Sequence, residues 1–248
     1  MTKVLILNQA TVDPTYTVID YLSRHTWTLN SHPDVRTIHY YGGYDTNHNP
    51  ISKFPIVPKG ETQLVDDNIL VCGINDTLGN YFDPRGEKMI MAIEYCLKHF
   101  EWDFMLRICN TSYIHIPILH RVLNKTRKER IYDGTRNLYN NEISFVTGYN
   151  SYMSRDTAEV LIQNKHLYLE SKYPEDLALG DVIFHQLKYT TFEDQPHHQT
   201  HVWAFEDGFQ PDHYLQNTDV FNYRFRSHTP EKLIRFHEHV MNKNDIKK

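Results

Sequence analysis

Residues 85–109, RGEKMIMAIEYCLKHFEWDFMLRIC, decide the fold class of this chain. Across residues 85–100 the apolar side chains recur at helical spacing, and residues 103–109 form the short apolar run typical of a buried strand. A second such run, NILVCG at 68–73, precedes them. Strand, helix and strand in this order predict a parallel crossover unit. The sequence therefore predicts an α/β protein.

The pattern on either side extends this prediction. Residues 3–8 read as a buried strand and residues 15–24 as a helix. A strand over residues 36–41 ends at Gly42-Gly43, and residues 44–67, which lack periodicity, are predicted to form a long surface loop. Further helices are predicted at 115–124, at 155–164 after an N-cap at Ser154, at 176–187, and after Thr229-Pro230-Glu231. Further strands are predicted within 143–153, at 201–205 and at 220–226. The strand at 201–205 lies inside an otherwise loop-like segment, 195–217.

The whole chain is predicted to be one domain. No internal repeat, linker or low-complexity run divides residues 1–248. Alternating strands and helices of this kind pack as layers around one sheet. We expect a Rossmann-like domain with a central, mostly parallel mixed sheet flanked by helices.

Composition limits the partners and the location. A net charge of -5 with a pI near 6.3 argues against binding nucleic acid through the overall field, because such binding uses many Lys and Arg contacts to phosphate. Cys72, Cys96 and Cys109 lie in apolar stretches without metal-ligand spacing, which predicts buried thiols and a reducing compartment. No apolar run has the length of a membrane span, and the first residues are too polar for a signal peptide. We expect a cytoplasmic protein without a membrane span.

An acidic segment is the first candidate for chemistry. PEDLALGD at 174–181 places Glu175, Asp176 and Asp181 around the start of an apolar helix. One of these carboxylates is a candidate general base that takes a proton from an attacking hydroxyl group. Acidic residues in a first helical turn are also stabilised by the helix macrodipole without any catalytic role.

Polar residues and a glycine mark a second candidate. Asn110, Thr111 and Ser112 follow a buried strand, where open α/β sheets bind ligands, although such residues also form turns that cap helices. Gly148 lies inside a predicted strand, which indicates a bulge or a close approach to the backbone.

Two other polar stretches are weaker candidates. His197, His198 and His201 match no well-specified zinc motif. The basic run KTRKER at 125–130 is typical of solvated surface, or of a surface that contacts an anionic acceptor.

Several of these segments, taken in order, resemble the beta-1,3-galactosyltransferase and Fringe-related family, and more closely its viral, phage and bacterial relatives. The resemblance covers roughly residues 69–187. The matching segments are DTLGNY at 76–81 with Lys88, then Asp103-Phe104 with Arg107, then Thr147-Gly148 closing on Ser154-Arg155-Asp156, and last EDLALG at 175–180.

The resemblance implies a GT-A fold, a nucleotide-sugar donor, commonly a uridine diphosphate sugar, a glycan acceptor, and transfer that inverts the anomeric centre. It assigns Asp176 as the catalytic base, with Glu175 beside it and Asp181 as an outside candidate. It divides the chain into a donor-binding part at about 1–112 and an acceptor and catalytic part at about 113–248. The donor-binding candidates are Asn8, Asp76, Arg85, Lys88, Arg107, Asn110, Thr111 and Ser112. The acceptor-binding candidates are Gly148, Tyr149 and Trp203.

One departure from the family concerns the metal ion. The family places an Asp-x-Asp motif after this strand, where carboxylates hold a divalent cation against the donor diphosphate. Here Cys109-Asn110-Thr111-Ser112 stands in that position. Asn110, Ser112 and His228 are only weak ligand candidates, which leaves a role for Mn²⁺ or Mg²⁺ open.

Two alternatives remain at this stage. The first is a phage or viral glycosyltransferase that modifies bases in DNA and uses residues 125–136 against phosphates. The second is a catalytically inactive protein that binds a sugar or a nucleotide, as the missing Asp-x-Asp motif suggests. A nucleotide-dependent oxidoreductase is disfavoured because no glycine-rich fingerprint follows the first strand.

Overall fold

The first strand of the chain lies at the centre of a seven-stranded mixed sheet. The structure is a computed structural model that describes residues 1–29, 32–45, 47–76, 85–140, 142–196, 199–204, 209–226 and 228–245. Parallel pairing joins the central strands, and antiparallel strands lie at both edges. In spatial order the strands are β3 (Thr62–Asp66), β4 (Ile69–Asn75), β2 (Val35–Tyr44), β1 (Val4–Gln9), β5 (Phe104–Cys109), β8 (Ile143–Ser154) and β7 (Tyr132–Tyr139).

Helices cover both faces of this sheet. α1 (Thr17–His25) connects β1 to β2, and α2 (Arg85–His99) connects β4 to β5, so the predicted crossover unit is confirmed. The other helices are α3 (Ile116–Leu123), α4 (Arg155–Gln163), α5 (Lys165–Leu169), α6 (Glu175–Gly180), α7 (Pro211–Asn217) and α8 (Pro230–Asp245). No helix in the described ranges is both long enough and apolar enough to cross a membrane.

Alternation along β1 builds two apolar cores. Val4 and Ile6 belong to a cluster that contains buried side chains of α1, α3 and α8. Leu5 and Leu7 point the other way, into a cluster with side chains of α2, α4 and α6. Successive side chains of a strand point to opposite faces, so one apolar run supplies both cores. The predicted α/β class, with a mixed sheet flanked by helices, is confirmed.

The connections reverse direction beside β1. The chain passes from β1 through α1 to β2 on one side, and later from β4 through α2 to β5 on the other side. Open α/β sheets bind ligands at such a switch point, in the crevice outside the carboxyl ends of the strands. The crevice of this sheet lies beyond Gln9 and Cys109.

A small second sheet borders that crevice. Its strands lie in the order β6 (Ser112–Ile114), β10 (Asn222–Arg224) and β9 (His201–Trp203), and β6 is the element that follows β5 in the chain. β6 pairs antiparallel with β10, and β10 pairs parallel with β9. The short sheet therefore brings residues of β9 and β10 next to the carboxyl end of β5.

The structure corrects the prediction between residues 41 and 67. β2 does not stop at Gly42 but continues to Tyr44. Glycine at position 42 lets the chain after β4 approach closely, since a Cβ atom there would lie 2.5 Å from the backbone nitrogen of Asp76. The predicted surface loop contains β3, and its Phe54 and Val57 are buried against Tyr41.

Other boundaries also differ from the sequence pattern. β7 was not predicted, because an exposed edge strand with a polar sequence lacks an apolar signature. α7 lies in a segment predicted to be loop-like, and β10 is shorter than the predicted strand at 220–226. Ser154 does precede α4, but its hydroxyl contacts Ile131 N and Thr157 Oγ1 instead of capping the helix.

Candidate active site

A buried arginine organises the crevice at the carboxyl end of β5. Nη1 of Arg107 donates to Oδ1 of Asp176 at 3.1 Å, and Nη2 donates to Oε1 of Gln9 at 2.8 Å. Nη2 also pairs closely with Oε1 of Glu175. The acidic start of α6 and the ends of β1 and β5 therefore meet at one guanidinium group.

Exposure distinguishes the two carboxylates. The Arg107 side chain is 3% exposed, the Glu175 side chain 16% and the Asp176 side chain 32%. Burial alone would lower the pKa of Arg107, but attraction to the carboxylates raises it well above its usual value. Arg107 is thus a fixed cation, and Asp176 is the carboxylate of the pair with more access to solvent.

Polar atoms without partners surround this ion pair. The hydroxyl of Tyr168 and Nε of Arg107 are buried and have no hydrogen-bond partner among the described residues, and the buried hydroxyl of Tyr40 lies close to Arg107. Burial, followed by the charge of Glu175, raises the pKa of Tyr168, so its phenol stays protonated. Buried polar groups without partners are rare and often mark sites that hold a ligand or ordered water.

Gly148 supports the ion pair from β8. A Cβ atom at this position would lie 2.2 Å from Arg107 Nη1 and 2.2 Å from Asp176 Oδ1. The sequence predicted either a bulge or a close approach to the backbone here. The register between β7 and β8 shifts across residues 147–150, and the side chains of this pair approach the glycine. Its role in acceptor binding stays a prediction.

The next residue of β8 belongs to a cluster of aromatic rings. The Tyr149 ring lies 5.0 Å from the His201 ring and 5.4 Å from the Trp203 ring, measured between centroids. The guanidinium carbon of Arg224 lies 4.5 Å from the Tyr149 centroid, and its Nη1 donates to Sγ of Cys109 at 2.6 Å. Cys109 and Arg107 both belong to β5, so the aromatic cluster and the Arg107 ion pair lie at the same end of that strand.

This cluster combines an exposed ring with a buried base. Trp203 is exposed, whereas Nε2 of His201 is buried without a hydrogen-bond partner in the described ranges. Burial, with a smaller effect of Arg224, lowers the pKa of His201 to about 4, so the ring is neutral at pH 7. A flat apolar surface beside a cation suits stacking on a planar or sugar ring.

Sequence reasoning missed Arg224. The strand that carries it was predicted, but nothing in its pattern separates a functional arginine from a solvated one. Its position became visible only through the pairing of β10 with β6, which sets Arg224 opposite Ser112.

Asp76 and Lys88 form a second buried ion pair. Lys88 Nζ lies 2.9 Å from Asp76 Oδ1, and both side chains are 1% exposed. The Asp76 carboxylate also accepts from the backbone N–H groups of Val12 and Gly42, at 2.7 Å each. These bonds join the ends of β1, β2 and β4. Asp76 and Lys88 were predicted to contact the sugar donor, but their charged groups already have protein partners.

The other predicted donor residues are mostly buried. Asn8 Nδ2 contacts Nδ1 of His39 at 3.0 Å, and Asn110 is buried, with no partner for its Nδ2 in the part of the chain that the structure describes. Thr111 Oγ1 lies 3.1 Å from Cys109 Sγ. Ser112 is fully buried in β6. The side chain of Arg85 lies outside the described residues, as do most of the segment 76–81, His197, His198 and Phe205.

Three predicted features lie away from these clusters. Asp181, directly after α6, accepts a hydrogen bond from Gln186 at 2.6 Å instead of pairing with Arg107. His228 is exposed in the turn before α8. In the basic run, Lys128 pairs with Asp103 at 2.9 Å, and Arg127 donates to the carbonyl of Asp194 at 2.8 Å. Lys128 and Arg127 therefore already have protein partners, although contact with DNA phosphates would require their positive charges.

Comparison with known proteins adds no assignment. No family model and no curated protein matches this chain. The functional interpretation therefore depends on the residues themselves.

Proposed function

We propose that this chain is an inverting glycosyltransferase of the GT-A type, which transfers a sugar from a nucleotide-sugar donor, of the uridine diphosphate class, to a hydroxyl group of a glycan acceptor. The observation that carries the proposal is the position of Asp176. It is a partly exposed carboxylate, held 3.1 Å from a buried arginine, at the switch point of an α/β sheet.

The proposed reaction is a single displacement. An Asp176 carboxylate oxygen takes the proton of the acceptor hydroxyl, and the acceptor oxygen forms a bond to the anomeric carbon. The bond from that carbon to the diphosphate oxygen breaks, and the nucleoside diphosphate leaves with the electron pair. Arg107 fixes the base, and Glu175 adds a second carboxylate on the buried side of that arginine.

Arg224 is the proposed cation for the leaving diphosphate. Its guanidinium group is only partly buried and lies at the carboxyl end of β5, beside Cys109. A guanidinium group binds phosphate oxygens through paired hydrogen bonds and so stabilises charge that develops as the bond breaks. Tyr149 and Trp203 supply the adjoining faces on which a sugar or a base can stack.

The residues after β5 do not fit a Mg²⁺ or Mn²⁺ site. Such ions bind through several hard oxygen ligands, usually with at least one carboxylate. Residues 109–112 offer no carboxylate, Ser112 is buried inside β6, and Asn110 offers one amide oxygen. No step of the proposed reaction uses a metal ion.

Ligand binding tests the proposal first. Nucleoside diphosphates and their sugars are screened by thermal shift and calorimetry, each with manganese and with chelator, because a ligand of the native state raises the melting temperature. Stabilisation by a uridine nucleotide that persists in chelator is the expected result. No stabilisation by any donor would count against the proposal.

Transfer assays then test the base. Asp176→Asn keeps the size of the side chain but removes the basic oxygen, so we expect transfer to fall by at least about 100-fold while donor binding remains. Asp181→Asn is the matched change in the next turn, where the carboxylate pairs with Gln186. Loss of transfer in Asp181→Asn with normal rates in Asp176→Asn would move the catalytic assignment.

A second candidate is a binding protein without transferase activity. It is favoured by the pairing of both Glu175 and Asp176 with Arg107, because each carboxylate already uses one oxygen in an ion pair. Binding of a donor without transfer or donor hydrolysis, for any acceptor offered, would support this candidate over the enzyme.

A further inference from the structure

Two histidines and an aspartate meet at the amino edge of the large sheet, opposite the candidate active site. His32 and Asp34 lie in the turn before β2, and His120 lies on α3. One ligand atom of each residue lies within 4.8 Å of those of the other two. The two imidazole centroids are 4.1 Å apart, and Nε2 of His120 lies 3.7 Å from Oδ2 of Asp34.

One carboxylate oxygen of Asp34 is buried and faces His120. Oδ2 of Asp34 is buried and accepts no hydrogen bond from any described residue. Its distance to His120 is too long for a hydrogen bond. A buried carboxylate oxygen left in this state calls for a cation or a donor, since burying it unpaired costs free energy.

Backbone groups orient both rings. Nε2 of His120 contacts the carbonyl oxygen of Thr2 at 3.2 Å, and as a donor in this bond it leaves Nδ1 with its lone pair. Nδ1 of His32 accepts from the backbone N–H of Asp34 at 3.2 Å, which fixes that ring beside the aspartate, and a metal ion bound at Nδ1 would replace this N–H as the partner of the lone pair. A hydrogen bond from the second ring nitrogen to a carbonyl, as His120 makes to Thr2, is the usual support of a metal-binding histidine.

The ligand types indicate the class of ion. Two imidazoles and one carboxylate suit Zn²⁺ and related transition-metal ions, whereas Mg²⁺ and Ca²⁺ prefer sites made of oxygen. Zinc ligands lie about 2.0–2.2 Å from the metal, so atoms spread over 4.8 Å would each need to move inward by roughly 1 Å or less.

We propose that His32, Asp34 and His120 bind one divalent transition-metal ion of the zinc type, with water in the fourth position. The ion links the turn before β2 to α3. It is separate from the crevice at the carboxyl edge of the sheet and independent of the proposed transferase activity. Asp34 also borders a cavity of about 470 Å³, whose other lining residues include Ile116 of α3.

Metal binding to the purified full chain tests this proposal. Protein treated with chelator and then dialysed is titrated with Zn²⁺ by calorimetry, and with Co²⁺ while its visible absorption is recorded. We expect one equivalent of each ion, and a tetrahedral or five-coordinate Co²⁺ spectrum. His32→Gln and His120→Gln each weaken binding by more than about 100-fold, because even the loss of a residue that only supports a ligand costs about 10–100-fold.

Control variants locate the ion. His25→Gln removes an exposed histidine of α1, and the double change His197→Gln with His198→Gln removes the histidine pair outside the described residues. Both should bind as the unchanged protein does. If His120→Gln does not fold, as judged by circular dichroism, His32→Gln and Asp34→Asn carry the test. No binding by the unchanged chain, or equal affinity in His32→Gln and Asp34→Asn, would overturn the proposal.

Discussion

Gly148→Ala should disrupt the ion pair between Arg107 and Asp176 at the centre of the candidate site. The new Cβ atom would lie 2.2 Å from Nη1 of Arg107 and 2.2 Å from Oδ1 of Asp176. Unstrained contacts between such atoms are roughly 3.5 Å, so each atom must retreat by about 1.3 Å. Arg107, at 3% exposure, can shift only by disturbing its packed neighbours, while Asp176, at 32%, can turn toward solvent. We therefore expect Asp176 to leave the pair.

The cost follows from this rearrangement. Overpacking a well-packed interior costs about 1–3 kcal/mol. Arg107 keeps Glu175 as a partner, so its charge is not left unpaired and the larger penalty of an isolated buried ion is avoided. We expect the free energy of unfolding to fall by about 2 kcal/mol and the melting temperature by roughly 4–8 °C.

Urea denaturation followed by circular dichroism measures this loss. Gly43→Ala is the matched control, since its Cβ atom would meet Val71 Cγ1 at 3.2 Å and needs only a small adjustment. The cost of Gly148→Ala should shrink when it is introduced into Asp176→Ala, because one of the two clashing groups is then gone. An equal cost in both backgrounds, or no cost in either, would refute this account of the glycine.

Two further predictions concern buried charge. Lys88→Met leaves the Asp76 carboxylate buried without its cation, so the free energy of unfolding should drop by about 3–5 kcal/mol. Adding Asp76→Asn should recover part of that loss. If urea denaturation shows that the losses of the two single variants simply add in the double variant, this interpretation of the pair is wrong. Burial lowers the pKa of His39 to about 3, of His115 to about 4 and of His201 to about 4. The unfolded chain then binds more protons than the folded one between about pH 4 and 6.5, so stability should fall as pH drops through that range. Proton NMR titration checks the assignment, and midpoints near 6.5 for these rings would disprove it.

Local patterns were enough to predict much of the framework. The apolar runs at β1, β4 and β5 and the helical spacing of α2 predicted the crossover unit that the structure contains. These signals are readable because burial on a strand or helix imposes a period on the residues themselves. Strands at the sheet edge, such as β7, carry no such period, and they were missed.

The residues of the candidate site were also predicted only in part. The sequence pointed to Glu175, Asp176 and Asp181 as candidate carboxylates, and to Gly148 as a bulge or a place of close approach. It did not pair them with Arg107, which lies 69 residues before Asp176. It also gave no reason to single out Arg224, 115 residues after Cys109.

The sequence by itself determined the α/β class, the order of the central elements and the residue types available for chemistry. Tertiary structure alone decided that Arg107 is buried between two carboxylates, that Asp181 is not part of that cluster, and that Arg224 stacks on Tyr149. Periodic burial is a local property of the chain and can be read from neighbouring residues. The pairing of charges depends on the path that brings distant segments together, because electrostatic attraction acts between atoms close in space, whatever their separation in sequence.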